Sequence, residues 1–147
     1  PDYLQATLPW VDIALLSCPH LPAGQREEVL AQALHLGARI AVATAGQEGS
    51  WVLWEGKLFH APAARAAQVV DTMGAGDAYF AAFLCSLLKT AGEEGLFARD
   101  LSHRIPQAMG QAAAYAAQTC ALEGAFGGGV TLAGRTELTP LEKDLSL

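Results

Sequence analysis

Two glycine-containing loops hold the residues whose types and spacing could do chemistry. The first, Asp71–Asp77, reads Asp-Thr-Met-Gly-Ala-Gly-Asp and is followed by an apolar run from Ala78 to Leu84. Glycine adopts backbone angles closed to other residues, and the first N–H groups of a helix have no intrahelical acceptors. The positive end of the helix dipole adds to their attraction for an anion. This segment, which we name the anion loop, therefore predicts a phosphate-binding helix N-terminus.

Asp77, the last residue of the anion loop, has two interpretations. Its carboxylate could cap the helix, because aspartate accepts hydrogen bonds from the free N–H groups of a first turn. Alternatively, it could act as a general base beside a bound phosphate and take the proton of an attacking hydroxyl group. The local pattern alone leaves both interpretations open.

The wider pattern resembles a known family. The anion loop, followed by Ala81-Ala82-Phe83-Leu84, matches position by position the second signature of the ribokinase-like (PfkB) carbohydrate kinases. The resemblance implies an ATP-dependent sugar kinase in which Asp77 is the catalytic base. The resemblance also implies an anion hole around the transferring phosphoryl group. It is formed by the backbone amides of Gly74, Ala75 and Gly76 and extends to Asp77. Within the family the layout is most similar to the fructoselysine 6-kinases, which implies a sugar or a glycated amino acid as substrate.

The second loop, Thr44–Gly49, follows an apolar run and has the form Thr-x-Gly-x-x-Gly. Glycines are common turn residues after a strand, so a plain turn is the simpler explanation of this spacing alone. In the family that the chain resembles, this loop lies against the phosphates and ribose of a nucleotide. The nucleotide-binding residues predicted on this basis are Thr44, Gly46, Gly49 and Gly76.

The resemblance also implies ATP, Mg²⁺ and a monovalent cation such as K⁺ as cofactors. Asp71 and the Met73 carbonyl would complete the monovalent cation site beside the glycine-rich stretch Glu123–Gly129. A helix end followed by a flexible exit explains that stretch equally well. Many family members carry Asn-x-x-Glu after the strand that corresponds to residues 11–16 here, whereas this chain has Ser17 and His20 at those positions. The way in which Mg²⁺ is held therefore stays open.

The two loops need a scaffold, and hydrophobic periodicity with turn residues outlines one. Strands are predicted at 11–17, 39–44, 50–54, 57–60 and 68–70, and helices at 25–36, 76–90 and about 105–122. Residues 93–102 are expected to be a polar surface connection. The predicted fold class is α/β, a ribokinase-like, open, mainly parallel sheet with helices on its faces. Ligands of such sheets bind beyond the carboxyl ends of the strands, where both loops are expected to lie.

Composition excludes several classes of partner. Apolar residues make up 52% of the 147 residues and charged residues 16%, which predicts a real core. The net charge of −6 argues against nucleic-acid binding, and the longest apolar stretch is too short to span a membrane. Three cysteines without paired metal-ligand spacing fit a reducing compartment, so we expect a cytoplasmic protein.

The resemblance covers only the C-terminal half of these kinases, here about residues 8–129. Residues 1–147 are therefore expected to be the C-terminal, nucleotide-binding portion of a ribokinase-like kinase domain, without its N-terminal sugar-binding and lid portion. Residues 136–147 are expected to be a flexible tail. Such a fragment alone is expected to be inactive, and the family also allows a homodimer.

Two other functions stay open. The chain could belong to another PfkB kinase, of the ribokinase or 2-keto-3-deoxygluconate kinase type, or it could be a non-catalytic nucleotide-binding fragment. A Rossmann dehydrogenase is a poor fit, because no Gly-x-Gly-x-x-Gly motif opens the first strand–helix unit.

Overall fold

A parallel strand–helix–strand unit forms one side of the sheet. The computed structural model describes residues 2–89 and 95–124. The first elements are a short helix α1 (Asp2–Thr7), strand β1 (Ile13–Ser17), helix α2 (Ala23–His35) and strand β2 (Ile40–Thr44). The two strands are parallel neighbours, and their last residues, Ser17 and Thr44, are register partners. The predicted βαβ unit is confirmed, and both strands end at one edge of the sheet.

A β-hairpin extends the sheet beyond β2. Its strands are β3 (Ser50–Trp54) and β4 (Lys57–Ala61), and the strand order is β1-β2-β3-β4. The turn residues Glu55 and Gly56 both have positive φ angles, 47° and 73°, as a two-residue type I′ turn requires. The predicted hairpin is therefore confirmed.

The parallel share of the sheet is smaller than expected. Among the described residues, β1–β2 is the one parallel pair, and both β2–β3 and β3–β4 are antiparallel. The cause is the short connections, because parallel neighbours need a crossover of a dozen or more residues. The described sheet is thus open and mixed.

Helices cover both faces of this sheet. On one side lie α3 (Ala75–Leu88) and α4 (Arg104–Thr119). Ile40 and Val42 of β2 pack with the buried residues of these two helices, whereas the alternating Ala41 and Ala43 pack with α2. The alternation of side chains along β2 therefore divides the core into two layers, and the predicted α/β class is confirmed.

The strand predicted at 68–70 is wrong. Val69 and Val70 are 63% and 49% exposed, and the amides of Val70 and Asp71 donate to the Cys120 carbonyl at 2.8 and 3.2 Å. A strand needs a strand neighbour for its ladder, and within the described residues this segment instead lies against the end of α4. The β-branched residues alone could not supply that neighbour.

The connection between α3 and α4 contributes to the core. Leu96 and Leu101 are only 7% and 0% exposed and pack with residues of α3 and α4. For its described part, the expectation of a polar surface connection is therefore wrong. The tail predicted at 136–147 and the glycine-rich stretch after Gly124 lie outside the described residues. Across residues 2–89 and 95–124, no helix has the length and apolar character needed to cross a membrane.

Candidate nucleotide-binding cleft

A cleft of about 620 Å³ opens where β1 and β2 end. Ser17 and Thr44, the paired last residues of these strands, line it. From the two loops singled out in the sequence, the residues that line the cleft are Thr44, Gly46, Gln47, Gly49, Thr72, Ala75 and Gly76. Among the described residues of its wall, Arg65 is the one charged side chain. The fold therefore brings both loops together around a concave space that Arg65 also lines.

The anion loop leads into α3 through a left-handed glycine. Gly74 is the N-cap residue, with φ of 75°, and the first helical hydrogen bond runs from the Ala78 amide to the Gly74 carbonyl at 2.8 Å. The Ala75 amide is already used, because it donates to the Thr72 carbonyl at 3.2 Å. The helix register leaves the next two amides, those of Gly76 and Asp77, without an intrahelical acceptor. These are the donors best placed to meet an anion.

Gly76 combines a helical backbone with free space. A Cβ atom added there would meet no heavy atom within 4 Å, and the residue lines the cleft. The missing side chain therefore leaves the helix N-terminus accessible to a ligand in the cleft. The anion-hole and nucleotide roles predicted for Gly76 are compatible with this geometry.

Asp77 is the third residue of α3, and the N-cap position belongs to Gly74. Its side chain is exposed, and within the described residues its carboxylate accepts no hydrogen bond. The interpretation of Asp77 as a capping residue therefore lacks the hydrogen bond that defines a cap. A carboxylate in the first turn still interacts favourably with the helix dipole. Asp77 does not line the cleft, but its neighbour Gly76 does.

Asp71 ties the anion loop to the end of α4. Its carboxylate oxygens accept hydrogen bonds from the Met73 amide at 2.9 Å and from the Gly124 amide at 3.2 Å. Both hydrogen bonds fix the start of the anion loop. Among the described residues, Asp71 therefore positions this loop. The monovalent cation role predicted for it stays a prediction. In the part of the chain that the structure describes, no group of three or more His, Cys, Asp or Glu side chains could hold a metal ion.

The second loop forms a single 3₁₀ turn, Gly46–Glu48, that is closed by local hydrogen bonds. Its two glycines differ in surroundings. At Gly46, with φ of 55°, an added Cβ would meet nothing within 4 Å, whereas at Gly49, with φ of 99°, it would lie 2.1 Å from the Ala61 carbonyl oxygen. Gly46 is therefore open to the cleft, and Gly49 also packs tightly against the end of β4.

A buried hydroxyl pair joins the two elements that follow the loops, α3 and β3. The hydroxyl of Tyr79, on α3, donates to Oγ of Ser50 at 2.7 Å. Ser50 directly follows the second loop, and both residues line the cleft. Burial raises the pKa of Tyr79, and the hydrogen bond to Ser50 opposes this only in part. Tyr79 therefore stays a neutral donor at physiological pH. Sequence reasoning missed this pair, since residues 29 positions apart give no local signal.

Two tryptophans and a histidine of the β-hairpin lie outside the cleft. Trp54 is buried in the core, and Trp51 stacks on the His60 ring with 4.5 Å between ring centres. None of these three side chains lines the cleft, so their roles lie in the packing of the hairpin. Ser17 lines the cleft and His20 does not, so of the two residues at the Asn-x-x-Glu positions only the serine lies at the site.

Residues 13–127 match the family model described as pfkB family carbohydrate kinase. The chain is 32% identical over 128 residues to a fructosamine kinase of Bacillus subtilis strain 168 and 35% identical over 122 residues to a fructoselysine 6-kinase of Shigella flexneri. These alignments cover 87% and 83% of this chain but 40% and 41% of the relatives. The chain thus spans about two-fifths of the length of these curated relatives.

A solved structure gives the same picture for the fold. An aminoimidazole riboside kinase from Salmonella enterica, solved with aminoimidazole riboside and an ATP analog, superposes with a TM-score of 0.68 at 25% sequence identity. The match covers 86% of this chain and 41% of that one. The fold expected from the sequence is confirmed by this similarity.

Proposed function

The chain belongs to the pfkB family of carbohydrate kinases, and from this premise we propose that the whole protein transfers the γ-phosphoryl group of MgATP to a hydroxyl group of a sugar derivative. The observation that carries the proposal is the single cleft lined by both the anion loop and the second loop. Such a pair of loops suits a nucleoside triphosphate, because a helix N-terminus can take its phosphates while a second loop holds the rest. The positive side chain of Arg65 suits the same ligand.

The apolar part of the cleft suits a nucleobase. Three alanines of α4, Ala113, Ala116 and Ala117, line the cleft and present a wall of small side chains. A purine ring can pack on such a surface without displacing a larger group. We assign the base to this wall and the phosphates to the start of α3.

The proposed reaction uses Asp77 as general base. The sugar hydroxyl oxygen bonds to the γ-phosphorus, the bond from that phosphorus to the β–γ bridging oxygen breaks, and ADP leaves. The Asp77 carboxylate takes the hydroxyl proton, for which its free lone pairs and exposure suit it. The amides of Gly76 and Asp77 stabilise the negative charge on the γ-phosphoryl oxygens. Mg²⁺ arrives with the nucleotide as MgATP and neutralises part of the phosphate charge.

The proposed substrate is a glycated amino acid of the fructoselysine type. The support is the similarity to a fructosamine kinase and a fructoselysine 6-kinase, at 32% and 35% identity. We expect the whole protein to release ADP with fructoselysine at a kcat/KM at least about tenfold above that with ribose or 2-keto-3-deoxygluconate. A preference for either of these two sugars would assign the protein to another type within the family. No sugar-dependent ADP release from an intact protein would favour a non-catalytic nucleotide-binding role.

Gly76→Val tests the nucleotide site without unfolding the chain. We expect the chain to bind MgATP with a Kd below about 1 mM, or roughly −4 kcal/mol, in a calorimetric titration. The valine fills the space over the helix N-terminus, so binding should weaken at least about tenfold, a loss of about 1.4 kcal/mol. The melting temperature should change little, because a Cβ at Gly76 meets no atom within 4 Å.

The matched control is Gly110→Val. Gly110 is also a helical glycine with free space around an added Cβ, but it lies on α4 away from the cleft wall. The Gly110→Val chain should therefore bind MgATP with the same Kd as the unmodified chain. Equal binding by Gly76→Val and Gly110→Val would contradict the placement of the phosphates at the start of α3.

A further inference from the structure

Arg26 is a charged side chain buried inside the α2 face of the fold. It is only 2% exposed, although α2 otherwise buries aliphatic residues such as Leu30 and Ala33. A buried guanidinium is costly unless its donors are paired. Arg26 therefore needs partners, and the identity of those partners indicates what it is for.

The main partner of Arg26 is Glu48. The guanidinium donates from Nη1 and Nη2 to the two carboxylate oxygens of Glu48 at 2.8 and 2.9 Å, a bidentate pair. Its Nε donates to the Cys18 carbonyl at 3.3 Å, and its guanidinium carbon lies 4.5 Å from the centre of the Trp51 ring. The hydrogen bond from Arg26 lowers the pKa of Glu48, so the pair stays ionised at neutral pH.

Glu48 belongs to the second loop. Its neighbours Gln47 and Gly49 line the cleft, whereas neither Arg26 nor Glu48 does. The Glu48 carbonyl also accepts a hydrogen bond from Nε2 of His60 at 3.3 Å. Arg26 and His60 thus hold the loop at its outer side, while the cleft is on its inner side.

The other constraints on the loop are the close packing of Gly49 against β4 and the hydrogen bonds within the turn. Its own turn is closed by three backbone hydrogen bonds among residues 45–49, and residues 46–48 are exposed. Local bonds of this kind fix the shape of the turn but not its position relative to α2. The bidentate pair supplies that position, because its two parallel hydrogen bonds fix both distance and orientation.

We propose that Arg26 is a positioning residue for nucleotide binding, acting through Glu48 to hold the second loop in its ligand-competent place. The proposal rests on the proposed function, since it takes the second loop as part of a nucleotide site. If removing the pair lowers the competent population of the loop to about one tenth, the apparent Kd for the nucleotide rises about tenfold. Catalysis at saturating nucleotide is unaffected, because Arg26 touches neither the cleft nor Asp77.

The test measures Kd and KM for MgATP, together with kcat, on the whole protein at a temperature well below its melting transition. Arg26→Met should raise Kd and KM for MgATP about tenfold and leave kcat at saturating MgATP within about twofold. Arg26→Lys keeps the charge but not the bidentate geometry. Its Kd for MgATP should therefore lie between those of the unmodified protein and of Arg26→Met. Glu48→Gln changes the exposed partner, removes the ion pair and leaves the buried Arg26 guanidinium with an amide oxygen as its acceptor. It should weaken MgATP binding in the same direction.

Two further variants separate positioning from stability. Leu30→Ala lies one turn after Arg26 on α2 and opens the core without touching the loop, so it should lower the melting temperature and leave Kd for MgATP within about twofold. Combining Arg26→Met with Glu48→Gln should raise Kd no further than the larger single change, since both remove one interaction.

The outcomes separate this proposal from the proposed function. An unmodified protein that does not bind MgATP would overturn the proposed function and this proposal with it. An unmodified protein that binds MgATP, with Arg26→Met and Glu48→Gln binding it within about twofold, would overturn the positioning role and leave the nucleotide site standing. A Leu30→Ala variant that loses as much affinity as Arg26→Met would also overturn it, because the effect would then follow stability alone.

Discussion

Asp77→Asn is expected to lower kcat of the whole protein by about 100- to 10,000-fold, the usual range for loss of a general base. Asparagine has nearly the shape of aspartate but cannot accept a proton at neutral pH. The Asp77 side chain makes no hydrogen bond among the described residues, so the substitution disturbs no contact of the fold there. The Kd for MgATP should stay within about tenfold, since the amides at the start of α3 are unchanged and one negative charge near the phosphates is removed.

The competing role for Asp77 predicts a different result. A carboxylate that only complements the helix dipole contributes about 0.3 to 1 kcal/mol to stability, and its loss would lower the melting temperature without stopping turnover. Measuring kcat, Kd for MgATP and thermal stability on one preparation separates the two roles. Asp12→Asn is a suitable control, because Asp12 is exposed just before β1, at the other end of the strand from the cleft. Near-normal turnover in Asp77→Asn would refute the general-base assignment.

Local sequence signals predicted the elements that depend on local chemistry. Glu55-Gly56 gave the hairpin, because both residues adopt the positive φ that its turn needs. The βαβ unit followed from two apolar runs flanking an amphipathic segment. The predicted strand at 68–70 is wrong because β-branched residues only favour an extended backbone, whereas a strand also requires a neighbouring strand. Here the Cys120 carbonyl instead accepts hydrogen bonds from the amides of Val70 and Asp71.

The candidate site also combines features that are set by local sequence with contacts that need a distant partner. The anion loop and the second loop carry their chemistry in consecutive residues, so each could be recognised in the sequence. Strand order places only the second loop at the edge of the sheet, after β2, because no described strand leads into the anion loop. The contacts that hold the loops in place join residues far apart in the chain, Arg26 with Glu48 and Tyr79 with Ser50. The one available signal was the position of Arg26, which shares a helix face with Leu30 and Ala33, at spacings of four and seven residues. An arginine on an apolar face indicates a buried partner but does not say which one.

The two glycines of the second loop are expected to respond very differently to alanine. Gly46→Ala should cost about 1 to 2 kcal/mol of unfolding free energy, the strain of a left-handed backbone, because its Cβ meets no atom within 4 Å. Gly49→Ala should cost more than about 4 kcal/mol, or prevent folding altogether. Its Cβ would lie 2.1 Å from the Ala61 carbonyl oxygen and 2.9 Å from the Ala63 amide nitrogen, at a φ of 99°.

The size of the Gly49 effect follows from the nature of its neighbours. They are backbone atoms, which cannot rotate away as the end of a side chain can, so relief requires β4 to move. Ala61 is the register partner of Ser50, and that movement would break the β3–β4 ladder beside the Tyr79–Ser50 hydrogen bond. Urea denaturation of the two variants, with Gly56→Ala as a further open glycine at positive φ, measures the difference directly. If Gly49→Ala lost no more stability than Gly46→Ala, the close approach of the loop to β4 would be wrong, and Gly49 would owe its place in the loop to the ligand rather than to packing.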